Sequence, residues 1–159
     1  MKSRRQVEPA TEDDVQSWLR LALEVEPLFG PLIATGFEER LRANIRRHSA
    51  FCVRSPSDGV LLGGVIFDSR EAPTYDVSWL AVAQDQRRQG VGVALLEYCL
   101  ALAEVPCVVR VITFGPENPG GEAARGLYVR FGFRAQAEVI ATPEGPRQEF
   151  ILTRGVVGA

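Results

Sequence analysis

The chain has 159 residues, 46% of them hydrophobic and 24% charged, which is enough for one domain with a real core and too little for two ordinary ones. Its 18 basic and 20 acidic side chains leave a formal net charge of -2, so no global field selects nucleic acid or an anionic membrane as the main partner. No apolar run approaches the roughly 20 residues of a membrane helix, and the polar start of the chain lacks the apolar centre of a signal peptide; a cytoplasmic, single-domain protein is the expectation.

Rare residue types exclude further chemistries. Cys52, Cys99 and Cys107 are odd in number and lie within apolar runs, which suits small buried hydrophobes better than disulfides or a metal site. His48 is the only histidine, so a His-rich metal centre is ruled out, no metal is expected, and any Ser-His-Asp or Cys-His mechanism has to run through that one residue. Lys2 is the only lysine, which leaves a Schiff-base mechanism nothing but a terminal residue to work with.

In chain order, Gln6 to Ala10 reads as a short strand, and Thr11 with Asp14 as a capping box opening a helix. Val15, Trp18, Leu19 and Ala22 share one face of that helix, which is expected to stop at Glu26-Pro27. Pro27 to Ile33 is an apolar loop bounded by prolines that has to cover something. Phe37, Leu41 and Ile45 mark a second helix. Phe51 to Val53 and Val60 to Phe67 form a hairpin around the turn Ser55 to Gly59, and Tyr75 to Val82 is the next strand. A third helix presents Val91, Leu95, Tyr98, Cys99 and Leu102 on one side and ends at Pro106. Cys107 to Phe114 is apolar except for Arg110 and Thr113, as in a central strand covered on both faces, and should lie beside Tyr75 to Val82. A helix from Glu122 to Phe131, closed by Gly132, leads to two final strands, Phe133 to Ile140 and Arg147 to Thr153. The fold class is therefore α+β: a mixed, mainly antiparallel sheet with helices on both faces.

The segment Arg87-Arg88-Gln89-Gly90-Val91-Gly92 stands between a strand and a helix. Amides at a helix start, arginine beside them and no Cβ at Gly90 or Gly92 make a ready site for a phosphate or diphosphate. A Walker loop would need Gly-Lys-Ser or Gly-Lys-Thr, and a dinucleotide fingerprint would need glycine where Leu95 stands; neither is met.

What the residues do match is Leu80-Ala81-Val82, a short polar turn, Arg87-x-x-Gly90-x-Gly92 and Leu95-Leu96. This resembles the central motif of the GNAT superfamily of acetyl-CoA-dependent N-acyltransferases. Ala124-x-x-Leu127-Tyr128-x-x-Phe131-Gly132-Phe133 resembles the family's closing motif. The resemblance implies a single N-acetyltransferase domain over residues 1–159, with acetyl-CoA as co-substrate. It implies that the amides from Arg88 through Gln89, Gly90 and Val91 to Gly92 hold the coenzyme diphosphate, with Arg87 neutralising it. It further implies that the backbone of Leu80, Ala81 and Val82 pairs with the pantetheine arm and polarises the acyl carbonyl. The family's loop asparagine falls on Gly121 here, and Asn118 is the only asparagine nearby.

Transfer of an acyl group from a thioester to an amine requires a neutral amine, a polarised carbonyl and a proton for the leaving thiolate. Tyr128 matches the family's tyrosine, and its phenol is close enough to a thiol in proton affinity to supply that proton. Asp76 falls where some family members carry a catalytic glutamate; Glu24, Glu26 or water are the alternatives for the base, and Glu26 could instead anchor a cationic acceptor. Leu28 and Phe29 suggest an acceptor with an apolar portion. The expected function is N-acetylation of a primary amine of a small molecule, peptide or protein; the alternative is a non-catalytic acyl-CoA-binding or sensing module. The acceptor stays unnamed, and a homodimer stays open.

Overall fold

The computed structural model describes residues 5–118 and 120–155, excepting the Arg70 side chain; Lys2 and the other residues before Arg5 lie outside them. Seven strands are ordered β1-β2-β3-β4-β5-β7-β6 in one sheet. They are β1 (Glu8–Pro9), β2 (Ala50–Arg54), β3 (Leu61–Glu71), β4 (Thr74–Val82), β5 (Cys107–Phe114), β6 (Arg134–Ile140) and β7 (Arg147–Arg154). The helices are α1 (Val15–Phe29), α2 (Phe37–Arg46), α3 (Val91–Leu102) and α4 (Glu122–Arg130). Pairs β1–β2, β2–β3, β5–β7 and β6–β7 are antiparallel, while β4 and β5 run parallel. The mixed, mainly antiparallel sheet expected from the sequence is the one observed.

By contact density the chain divides into two compact units, Met1–Phe67 with Trp79–Leu102 and Asp68–Ser78 with Ala103–Ala159. In the first, adjacent glycines on β3 show how the layers form. Successive residues of a strand face opposite ways. A Cβ at Gly63 would meet Val91 and Leu95 of α3, and one at Gly64 would meet the Trp18 ring of α1. The two helices therefore cover opposite faces, each lying close because its contact point on the strand has no side chain. Trp18, Phe37 and Leu41 are fully buried and cluster with Val25, Ile66 and Trp79. At the start of the unit the Thr11 N–H donates to Asp14 (2.8 Å), as the capping-box spacing requires. Arg54 grips the same carboxylate at 2.6 and 2.8 Å. Burial alone would raise the Asp14 pKa, but the bonds from Arg54 and Thr11 outweigh it and hold the group below the ordinary carboxylate value.

Several local expectations need correction. Helix α1 does not stop at Glu26 but continues through Pro27 to Phe29. Proline forfeits only its own bond to the preceding turn, and the Gly30 N–H still reaches the Glu26 carbonyl at 2.8 Å. Pairing at the first strand is confined to Glu8–Pro9. On α3 the buried side is Val91, Leu95, Leu96, Cys99 and Leu100; Leu102, expected there, is 48% exposed. Strand β5 is not covered on both faces: Val109 and Val111 are buried, whereas Arg110 and Ile112 are exposed. Among the described residues no helix is long and apolar enough to cross a membrane.

Helix α2 ends on a strained residue. His48 follows its last turn with φ 59° and donates its N–H to the Ile45 carbonyl at 3.1 Å. That left-handed position favours glycine, and the imidazole is exposed. His48→Gly is expected to stabilise the protein by about 0.5–1 kcal/mol, read as a higher denaturant midpoint at unchanged slope.

Candidate active-site elements

The turn from Arg87 to Gly92 lies in the first unit. Strand β4 delivers Leu80, Ala81 and Val82, of which Ala81 is buried and the other two half-buried. The chain leaves the strand through two hydrogen bonds: Ala83 N–H to the Leu62 carbonyl (2.9 Å) and Gln84 N–H to the Glu24 carboxylate (2.8 Å). A 3-10 turn over Gln84–Gln86 then leads to Arg87, Arg88, Gln89 and Gly90, all exposed. Arg88 and Gly90 both have positive φ, 65° and 83°, which turns the backbone sharply just before α3 starts at Val91. A Cβ at Gly90 would find nothing within 4 Å, so the glycine serves the backbone conformation and leaves the approach to the turn open. The first-turn amides of α3, from Val91 and Gly92, have no acceptor within the helix and carry the positive end of its dipole.

The end of α1 is arranged differently from the sequence expectation. The Glu26 carboxylate accepts from Leu32 N–H (2.7 Å) and Ile33 N–H (3.2 Å), folding the following segment back over the helix terminus. Both bonds fall on Oε2, so the Glu26 carboxylate caps this backbone through one oxygen. Phe29 packs edge-on against Trp79 with ring centroids 6.1 Å apart, closing the core, while Leu28 is half-buried.

In the second unit, β4 pairs with β5 from Thr74↔Val108 to Val77↔Val111, and β4 runs on from Ser78 to Val82 beyond the last of those pairs. Asp76, directly opposite Arg110 in this register, accepts from its Nε at 3.1 Å. Arg110 is a residue that sequence reasoning did not assign, although a lone charge in an otherwise apolar strand was the available signal. Asn118 is buried; its side-chain carbonyl oxygen accepts from Gly120 N–H (3.3 Å). Its amide nitrogen stands 3.2 Å from where a Gly145 Cβ would be, which places it between the loop before α4 and the turn between β6 and β7.

Tyr128 on α4 is only 3% exposed. Its ring meets Phe133 edge-on at 5.4 Å and tilts against Phe150 at 6.3 Å. Gly132, with φ 92°, lets the chain turn from α4 into β6 so that Phe133 reaches that ring. Arg125, one helical turn earlier, donates to the Phe114 carbonyl (2.9 Å) and Gln148 (2.7 Å). Its guanidinium lies 5.0 Å from the Phe150 centroid, so α4 is fixed to β5 and β7 and the tyrosine with it. Burial pushes the Cys52 and Cys99 thiols up to about 12, which makes these two poor rival nucleophiles. No group of three or more His, Cys, Asp or Glu side chains among the described residues could hold a metal ion.

The profile of the Acetyltransferase (GNAT) family matches residues 13–133, and the chain belongs to that family. Solved structures share its fold at low identity. Ard1 from Thermoplasma volcanium is 19% identical with a TM-score of 0.75, over 96% of this chain and 99% of that one. The ribosomal-protein-S18-alanine N-acetyltransferase from Escherichia coli is 18% identical with a TM-score of 0.74, over 97% and 96%. A chain of the NatC complex bound to Gag peptide and CoA is 17% identical with a TM-score of 0.74, over 95% and 99%. No curated protein matches the sequence.

Proposed function

We propose that the protein is an N-acetyltransferase that moves an acetyl group from acetyl-CoA to a primary amine of a small molecule, peptide or protein. One observation carries this reading within the family: the exposed turn from Arg87 to Gly92, bent by positive φ at Arg88 and Gly90 into the start of α3. Its amides and the Arg87 guanidinium suit a diphosphate, and the open space at Gly90 fits the approach of a bulky anion.

In the reaction the amine nitrogen bonds to the acyl carbon, the carbon–sulfur bond breaks and the thiolate takes a proton. Tyr128 supplies that proton, and the backbone of Leu80 to Val82 aligns the thioester. For the amine's proton, Asp76, Glu24 and Glu26 are each engaged by a protein donor, at 3.1, 2.8 and 2.7 Å, which favours loss to water. The same engagement favours a second reading, an acyl-CoA-binding module without turnover. Glu26, Leu28 and Phe29, at the end of α1, are the residues that would meet the acceptor, Glu26 through a cationic group and Leu28 and Phe29 through an apolar portion. A protein N-terminal amine belongs among the candidates, because alanine of ribosomal protein S18 is the acceptor named for one structural neighbour.

Thiol release from acetyl-CoA across a panel of arylalkylamines, polyamines and peptide N-termini tests the assignment, beside thermal shifts with acetyl-CoA and ATP. Acetyl-CoA at 100 times its Kd is expected to add about 2.7 kcal/mol of stability, ATP much less, and at least one amine should release thiol. Stabilisation without release across the panel would favour the binding module; equal shifts with ATP would sink the acetyl-CoA reading.

A further inference from the structure

The segment before β1 meets the Arg87–Gly92 turn. The Arg5 guanidinium donates through Nη2 to the Gln89 side-chain oxygen at 3.2 Å, and the Gln89 amide nitrogen reaches back to the Asp85 carbonyl at 3.4 Å. Gln89 thereby ties a third arginine to a turn that already carries Arg87 and Arg88. Against these three cations the turn has one carboxylate, Asp85, and none of the three arginines has an ion pair among the described residues. Arg5 spends one N–H on Gln89 and keeps the rest of its fork. An anion bound at this turn would meet positive charge that no carboxylate pairs.

Resting on the acetyl-CoA reading, we propose that Arg5, with Arg87 and Arg88, forms the site for the 3′-phosphate of coenzyme A and makes the protein select coenzyme A over its 3′-dephospho form. The coenzyme carries three phosphates. Two form the diphosphate, which the amides at the start of α3 suit by geometry. The third, a monoester on the ribose, is a dianion near neutral pH and stands one sugar ring away from them. It takes guanidinium groups rather than helix amides, and Arg5 is the cation that the fold adds to the turn's own two. Arginine suits the task, its planar fork matching two phosphate oxygens at once.

Calorimetric titration with acetyl-CoA and acetyl-3′-dephospho-CoA, on the wild type and Arg5→Ala, decides the matter. The wild type is expected to bind acetyl-CoA about tenfold or more tighter than the dephospho form. Arg5→Ala should lower that ratio about three- to tenfold by weakening acetyl-CoA alone, and raised salt should shrink the wild-type ratio. Arg5→Lys, retaining charge without the fork, should fall between. Equal affinities for the two ligands in the wild type, or an Arg5→Ala loss shared equally by both, overturns this site while leaving the acetyl-CoA reading intact. Absence of binding by either ligand overturns that reading and this site with it.

Discussion

Tyr128→Phe is expected to lower kcat by about 100-fold or more while leaving fold and coenzyme affinity close to the wild type. The direction follows from what the substitution keeps. Tyr128 is buried against Phe133 and Phe150 at 5.4 and 6.3 Å, and phenylalanine retains both ring contacts, so packing changes little. What goes is one hydroxyl. A positioned proton donor contributes about 10²–10⁴-fold to such steps, and burial keeps water from replacing it. Single-turnover thiol release with a saturating amine is the measurement. A folded Phe variant that binds acetyl-CoA and releases thiol at the wild-type rate would remove Tyr128 from the mechanism.

Local pattern made much of this architecture readable, and the parts it missed share a cause. The strand, turn and helix around Arg87 to Gly92 depend on glycine, on apolar alternation and on a helical period, all of which act over a few residues. The Thr11–Asp14 box and the hairpin around Ser55 to Gly59 are likewise local. Contacts decided by distant partners were not visible. Glu24 accepts from Gln84, 60 positions away, and Asp76 faces Arg110, 34 away. A carboxylate in sequence looks equally fit for base, anchor or structural acceptor until its donor is known. Pro27 misled for a related reason. Proline breaks a helix when the lost bond leaves the next turn unsupported, but here Gly30 N–H bonds to Glu26 and that residue's own carboxylate catches Leu32 and Ile33. The candidate site was legible where it is backbone and obscure where it is ionic.

Gly64→Ala should test the packing that sets the first unit's frame, and Gly126→Ala should move stability the other way. A Cβ at Gly64 would stand 2.6 Å from Trp18 Cη2 and 2.8 Å from Cζ3, far inside contact distance. The ring has nowhere to go: Trp18 is fully buried and its neighbour Trp79 lies 5.5 Å off between centroids. Either the strand or α1 must shift, and overpacking of this kind costs about 1–3 kcal/mol, or roughly 2–4 °C in Tm for each kcal/mol in a chain this size. On α4 the situation reverses. A Cβ at Gly126 meets nothing within 4 Å, and replacing glycine inside a helix gains about 0.5–1 kcal/mol. The same one-carbon change thus carries opposite signs at the two sites. Pairing Gly64→Ala with Trp18→Phe should recover part of the loss, since the smaller ring vacates the clash and removes an indole N–H that has no acceptor among the described residues. A double variant as destabilised as the sum of its parts would mean that the strain lies elsewhere than between β3 and α1. Because α1 also holds Gln84 through Glu24 at 2.8 Å, a shift of α1 should loosen the turn that precedes Arg87. Gly64→Ala is accordingly expected to weaken acetyl-CoA binding as well as stability, while Gly126→Ala should leave binding unchanged.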